Sequence, residues 1–443
     1  MVNFFRWLLL GYCSFALQVV AAPPAKLSLQ QAIDFALENN PELDILQSRV
    51  EQAHAQLGEA LANFYPQIKT SLAYQHSDNP AQAFAMIIAQ RRLDLNGGDF
   101  NHPGGIDNYR PQVSASYALF RGGQDYYLSE AAKLGINSSE LEKASARNRL
   151  LNQVTSAYYA QLAAIAAHKV AQSSIAAVES ELQFSKSNYA AGTVLKSDVL
   201  SLEVQLAEAK DAEIHSANAI ELANTLLKTL LGLSAKEVLT INTELQPKLP
   251  KAPAKFEKLM DEALSQHPEL KAAETRIAIS ERQLAAAQAA HLPRADAFVN
   301  YGSDSKDLSF STNRDNVSAG IQVEMELFGG FASSEKVKKA ELELRIAKTA
   351  LSQMQQQLES QVKSAQLKLQ EALSRAEVID VAVVAADEAL ELVKAQRQAG
   401  VVTVTRYIEA EVARDKAHTR AISARFEALR GEADLKLATG FWQ

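Results

Sequence analysis

Hydrophobic residues along this chain recur with two periods, and the two periods alternate in an order that occurs twice. From Gln124 to Ala190, apolar residues such as Leu151, Val154, Tyr158, Leu162 and Ile165 fall three and four apart, the spacing of one helix face. This stretch of 67 residues contains no proline and one glycine, Gly135. A second stretch, Phe331 to Gln398, has 68 residues with neither. At the rise of an α-helix each spans about 100 Å, longer than a globular domain of this size could bury. The chain turns at Gly192 and Gly400, and further helices are predicted over 195–232 and 403–440.

Elsewhere the period is two. Ile68, Thr70, Leu72 and Tyr74 alternate with Gln67, Lys69, Ser71 and Gln75. Val113, Ala115, Tyr117 and Leu119 alternate with Gln112, Ser114 and Ser116, and Ala295, Ala297, Val299 and Tyr301 with Arg294, Asp296 and Asn300. In the fourth run Val317, Ala319, Ile321, Val323, Met325 and Leu327 oppose Ser318, Gln322, Glu324 and Glu326. These read as strands over about 66–76, 111–120, 294–303 and 316–328. Strands of 9–12 residues that alternate this cleanly suit a membrane β-barrel, but an ordinary sheet with one wet face alternates in the same way.

The helices separate these readings. A short amphipathic helix is predicted over Ser28–Asn39, and a new one from Pro41 to about Ala62, where Asn40 caps and Pro41 suits the first turn. Its counterpart runs from Pro268 to Ala290. Each short helix laid end to end with a returning helix of 38 residues approaches the reach of one uninterrupted partner. The helices are rich in Ala, Gln, Glu, Lys and Ser, with a narrow apolar seam and a polar remainder. That pattern suits a wall wetted inside and out.

The two halves are copies of one plan. Ala36-Leu37-Glu38-Asn39-Asn40-Pro41-Glu42-Leu43 returns as Ala263-Leu264-Ser265-Gln266-His267-Pro268-Glu269-Leu270 at an offset of 227, which becomes 208 by Phe120 and Phe328. The difference falls in a longer loop of the first half, residues 79–108, rich in Gly, Asn and Asp. The expected organisation is a first repeat over 22–232, an equatorial linker over 233–256 and a second repeat over 257–440. In the linker, 237–241 reads as a short extended piece, and Pro247, Pro250 and Pro253 make a stiff connection.

Residues 1–21 read as a secretory signal: Arg6, an apolar run from Trp7 to Leu17, and Val19-Val20-Ala21 as a small-residue cleavage site. The single cysteine, Cys13, lies inside it, so the mature chain is expected to carry no thiol chemistry. Removing Arg6 takes the formal charge from −7 to −8. A mildly acidic chain argues against nucleic acid as a partner.

Four strands cannot close a barrel, and an open edge in lipid costs several kcal/mol per unpaired backbone group. Closure therefore needs other copies. Two would give eight strands, whose interior fills with side chains. Three give twelve, a pore-sized barrel, and conduction favours that number, although strand count does not separate trimer from tetramer. The polar strand faces, with Glu324 and Glu326, then line the lumen, and the apolar faces meet lipid.

The chain resembles the TolC-type outer-membrane efflux family. The resemblance rests on the duplicated Pro-Glu-Leu segments, the Tyr65-Pro66 and Leu292-Pro293 helix-to-strand junctions and the Leu119-Phe120-Arg121-Gly122-Gly123 and Leu327-Phe328-Gly329-Gly330 strand-to-helix junctions. The turns Ala191-Gly192-Thr193 and Ala399-Gly400-Val401 complete it. It implies a homotrimeric channel-tunnel: a mainly α chain with a twelve-stranded outer-membrane barrel, continuing into a long α-helical barrel across the periplasm of a Gram-negative cell. It also implies a periplasmic adaptor and an inner-membrane transporter of the RND, ABC or MFS type. In the family, acidic residues just past the turn glycines constrict the periplasmic tip. Asp198 matches that pattern, Arg406 stands where an acid is more common, and Glu409 matches the next acidic position. Asp198 and Arg406 occupy pseudo-equivalent sites and would pair as a latch between neighbouring hairpins, or else form an exposed, screened pair of little energy.

No phosphate loop, zinc motif or nucleophile elbow occurs. The eight histidines show no ligand spacing, and His76 and His102 read as solvated loop residues rather than metal ligands. Neither catalysis nor a cofactor is expected. The reading is an exit duct for a tripartite efflux system. An exit duct for a type I protein secretion system has the same fold, and a soluble periplasmic coiled-coil adaptor is the alternative outside the channel class.

Overall fold

The computed structural model describes residues 26–94, 99, 101–243, 247–309 and 311–442. The expected signal segment and Cys13 lie outside them. In chain order the elements are α1 (Leu29–Asn39), α2 (Pro41–Ala62), β1 (Gln67–Ser77), α3 (Pro80–Ala89), β2 (Ile106–Arg121), α4 (Gln124–Ala190) and α5 (Lys196–Leu230). Then follow α6 (Phe256–Gln266), α7 (Pro268–Ala289), β3 (Arg294–Ser303), β4 (Asp315–Glu324), α8 (Ala332–Gln398) and α9 (Val404–Thr439).

Two compact units divide the chain, and each draws on both halves of the sequence. Of the described residues, one unit takes those up to Asp44, those within Ala146–Ser265 and those from Ser360 onward, and the other those within Ile45–Ser145 and Gln266–Glu359. In the first, Leu27, Phe35, Leu150, Val154, Tyr158, Leu227, Leu231 and Phe426 form a core on which the linker rests. The expected extended piece at 237–241 reduces to one parallel bridge, Leu27 to Ile241, and the Tyr158 hydroxyl donates to the Leu27 carbonyl at 3.1 Å. A second core of the same unit joins α4, α5, α8 and α9 through Val178, Leu182, Val199, Leu202, Leu390, Val393, Val404 and Tyr407.

The four long and returning helices end alike. At Gly192 the glycine N–H donates to the Tyr189 carbonyl and the Thr193 N–H to Asn188, while at Gly400 the same bonds reach Arg397 and Gln396. This is the Schellman arrangement, which needs a left-handed residue. Gly192 has φ 76° and Gly400 φ 72°, and an added Cβ would meet nothing within 4 Å at either, so conformation alone selects glycine there.

In the other unit the strands form one antiparallel sheet in the order β1-β2-β3-β4. Ile68 faces Ala115, which faces Val299, which faces Ala319; Thr70, Val113, Tyr301 and Val317 form the next row. The opposite face carries rows such as Lys69, Ser114, Asn300 and Ser318. The register thus gathers the apolar positions of all four strands on one face.

Three expected strand and loop assignments need correction. β2 starts at Ile106 rather than about 111, because polar partners hold its first turns of pleat: Asn108 Nδ2 donates to Asp304 Oδ1 at 2.7 Å and Arg110 Nη2 to Asn316 Oδ1 at 3.2 Å. A bulge between Ala118 and Phe120 sets Phe120 opposite Ala295. β4 ends at Glu324, paired with Arg294; Pro293 precedes that partner, so Met325–Phe328 have no ladder to join on β3. The 79–108 segment holds α3, whose cap Asn79 accepts from the Ala81 and Gln82 N–H groups, with Pro80 at the first helical position.

Candidate functional site: pore wall and helix-turn tip

The apolar sheet face is exposed in the single chain. Ile68, Val317, Ile321 and Val323 each retain 67–73% of their accessible surface. In water, four such side chains on one face would cost several kcal/mol that a lipid environment removes. Tyrosines mark the loop end of this face. The Tyr74 and Tyr109 rings lie 4.9 Å apart with their planes tilted by 39°, the Tyr74 hydroxyl donates to Asp107 at 2.8 Å and the Tyr301 hydroxyl to Asp315 at 3.1 Å. At the helix end Tyr65, Phe120, Phe328 and Phe331 are exposed. Two aromatic girdles around an apolar band match what a bilayer's two interfaces select. The outer edges of β1 and β4 have no strand partner among the described residues.

The polar face ends in a charge cluster near the helices. Arg294 lies 3.4 Å from Asp296 and 3.9 Å from Glu324, and Arg121 lies 3.8 Å from Asp296 and 3.7 Å from Asp125. Glu324 therefore sits on the polar face, as its place in the alternation requires. Glu326 does not belong to the strand: its Oε2 accepts from the Ser333 hydroxyl at 3.1 Å, within the junction to α8.

At the other end of α4 and α8, the turn glycines place the tip residues. Asp198 stands in the first turn of α5 and is half-buried. Arg406, in the first turn of α9, is exposed and pairs with Glu409 at 3.2 Å. Within one chain, Arg406 and Glu409 therefore meet, whereas Asp198 has no ion-pair partner among the described residues. A deeper pair escaped the sequence reading. Arg397, one turn before Gly400, donates to Glu181 Oε1 at 3.0 Å and to Ser185 Oγ at 3.2 Å, so it ties α8 to α4. Its side chain is 7% exposed and that of Glu181 12%. Only the three-and-four spacing of α4, which places Glu181 and Ser185 on the face of Val178 and Leu182, hinted at it. The Tyr407 hydroxyl donates to the Ala177 carbonyl at 3.4 Å, and burial pushes its pKa up.

Away from these features, His76 pairs with Asp107 and His102 with Asp99. Among the described residues, no group of His, Cys, Asp and Glu is placed to hold a metal, and no helix is long and apolar enough to cross a membrane.

With this geometry in place, comparison with known proteins decides the family. The sequence profile described as outer membrane efflux protein matches residues 32–233 and 259–441. The chain belongs to the outer membrane efflux protein family. It is 26% identical to Protein CyaE of Bordetella pertussis over 342 residues, covering 75% of this chain and 67% of that protein. It is 20% identical to outer membrane protein TolC of Vibrio cholerae over 434 residues, covering 97% and 94%. A membrane protein from Pseudomonas aeruginosa has the same fold with a TM-score of 0.80 at 21% identity, covering 93% of each chain. The efflux family thus accounts for the mainly α fold with a small antiparallel sheet, and sets the protein in the outer membrane of a Gram-negative cell.

Proposed function

We propose that this outer membrane efflux protein is the exit duct of a tripartite export system, passively conducting what an inner-membrane transporter drives through a periplasmic adaptor. The observation that carries this reading is the sheet: four strands whose apolar positions share one face, flanked by two aromatic girdles, with both outer edges open. Those edges close at low cost by pairing with copies of the same chain, and three copies give a twelve-stranded wall with a wet lumen. The helices support the same assembly. Leu200, Val204, Leu222 and Leu226 on α5, and Val378, Val381 and Val384 on α8, leave at least half of their surfaces exposed, faces that a neighbouring copy would cover. The helices then continue the duct into the periplasm, with Glu324 and Arg294 at the barrel's inner end.

The turn-glycine end is the gate. With Arg406 engaged to Glu409 inside the chain, a latch to Asp198 forms only between copies. RND, ABC and MFS transporters are all compatible, since a wide wet duct carries no tailored pocket. Single-channel recording in planar bilayers tests the reading. The native protein should give a small closed-like conductance, and Asp198→Ala and Arg406→Ala should each raise it. Unchanged conductance in both removes the latch, and no conductance from any form removes the duct.

A further inference from the structure

Below the turns, the inward positions of α9 follow a spacing of three and four through Val404, Tyr407, Glu411, Arg414 and His418. The first two belong to the apolar core shared with α4, α5 and α8. The third is a glutamate that is 1% exposed, and neither of its carboxyl oxygens has a hydrogen-bond partner among the described residues. A coiled-coil seam would place leucine or valine there. Glu411 thus stands where the apolar seam of Val404 and Tyr407 gives way to charged positions.

The titratable and charged groups around it are mixed. On α9 these are Tyr407, Arg414, Asp415 and His418. On α8 they are Glu391 and Lys394, with Asp387 reached through Arg414 and His418, and Arg397, which is engaged with Glu181 of α4. On α5, Glu208 shares a cleft with Asp415, Lys416 and Arg420. Lys394 and Arg414 favour ionisation of Glu411, while Asp415 and Glu391 oppose it. Neither cation makes a bond to it. Arg414 is instead held by Asp387 at 3.3 Å and Asp415 at 3.0 Å, and His418 Nε2 lies 2.8 Å from the same Asp387 oxygen. An ionised carboxylate with no donor is costly in so dry a place, so the packed seam favours the neutral acid of Glu411 over the carboxylate. Burial, the largest influence, raises its pKa accordingly.

We propose that Glu411 is a proton-linked release point for the α8–α9 hairpin: packing of α9 against α4 and α8 takes up one proton at this carboxyl, and loosening the hairpin gives it back. The sign follows from linkage. The packed form binds the proton up to a higher pH than the loosened form, so Glu411's own contribution to packing is full in acid and is lost as pH rises through the raised pKa. Between the ordinary glutamate pKa and the raised one, the opening equilibrium grows by up to tenfold per pH unit. The consequence for conduction rests on the duct reading; the packing claim does not.

Amide hydrogen exchange of the full-length protein in detergent, corrected for intrinsic rate and followed over 404–418 between pH 5.5 and 8.5, tests it. All measurements are made in the natural protein and again in a His418→Gln background, which removes imidazole titration from the seam. The opening constant should rise with pH in both. In Glu411→Gln the rise should vanish in the His418→Gln background, and Glu411→Leu should be more protected than either at every pH. A slope in Glu411→Gln equal to that of its parent, or no slope in the parent, overturns the proposal. Either result leaves single-channel conductance, and with it the duct reading, to be judged separately.

Discussion

Arg397→Ala is the perturbation whose size the structure sets most directly. The guanidinium is 7% exposed, its partner Glu181 is 12% exposed, and the third member, Ser185, is fully buried, with its hydroxyl 3.3 Å from the same Glu181 oxygen. Removing the arginine leaves a carboxylate with one weak donor in a nearly dry seam. Breaking a buried pair in this way costs about 3–5 kcal/mol. The residual exposure of Glu181 argues for the lower end, about 3 kcal/mol. That corresponds to roughly a hundredfold faster opening, at about 1.4 kcal/mol per tenfold. Amide exchange over 178–190 and 390–400 measures it. Replacing both partners, Arg397→Met with Glu181→Leu, should recover most of the loss, because no uncompensated charge remains. Protection changed by less than threefold in Arg397→Ala would refute this reasoning, as would a double variant no better protected than the single.

Other outcomes follow from the same geometry. Ile321→Arg, on the apolar sheet face, should cost about 2–4 kcal/mol in folding into lipid vesicles, whereas Gln322→Arg on the other face should cost little; equal costs would contradict the assignment of faces. Gly400→Ala places a side chain at φ 72° and should destabilise the turn by about 1–2 kcal/mol. Gly135→Ala, in the interior of α4 with open space around it, should stabilise by about 0.5–1 kcal/mol; thermal unfolding of the two variants separates them. At Asp387 burial works against ionisation, but bonds from His418 and Arg414 hold its pKa below the usual carboxylate range. A depressed pKa contributes stability above the ordinary value that is lost as pH falls through the lowered one. Contact between α8 and α9 at this layer should therefore loosen below about pH 4, and the loosening should be absent in Asp387→Asn.

The sequence discloses what periodicity encodes. Alternation in Val317–Val323 and Ile68–Tyr74 assigns the strand faces because a register error of one residue would turn every side chain over. The turns at Gly192 and Gly400 are legible because only a residue that tolerates positive φ ends these helices. The rest depends on partners distant in the chain. Glu326 alternates as well as Glu324 does, but Pro293 stops the ladder that would have carried it. In α3, Asn79-Pro80 supplied a helix-start signal within a segment whose Gly, Asn and Asp content read as loop. Glu411 and Arg397 look like ordinary solubilising charges on alanine-rich helices. Their burial arises from the packing of α4, α8 and α9, and linear spacing cannot say which of several charged stripes faces inward.

The most direct test of the central claim is the mass of the purified full chain in detergent together with its incorporation into lipid vesicles. The account predicts particles of three chains that insert and permeabilise the vesicles. A stable monomer that remains outside the lipid would contradict it.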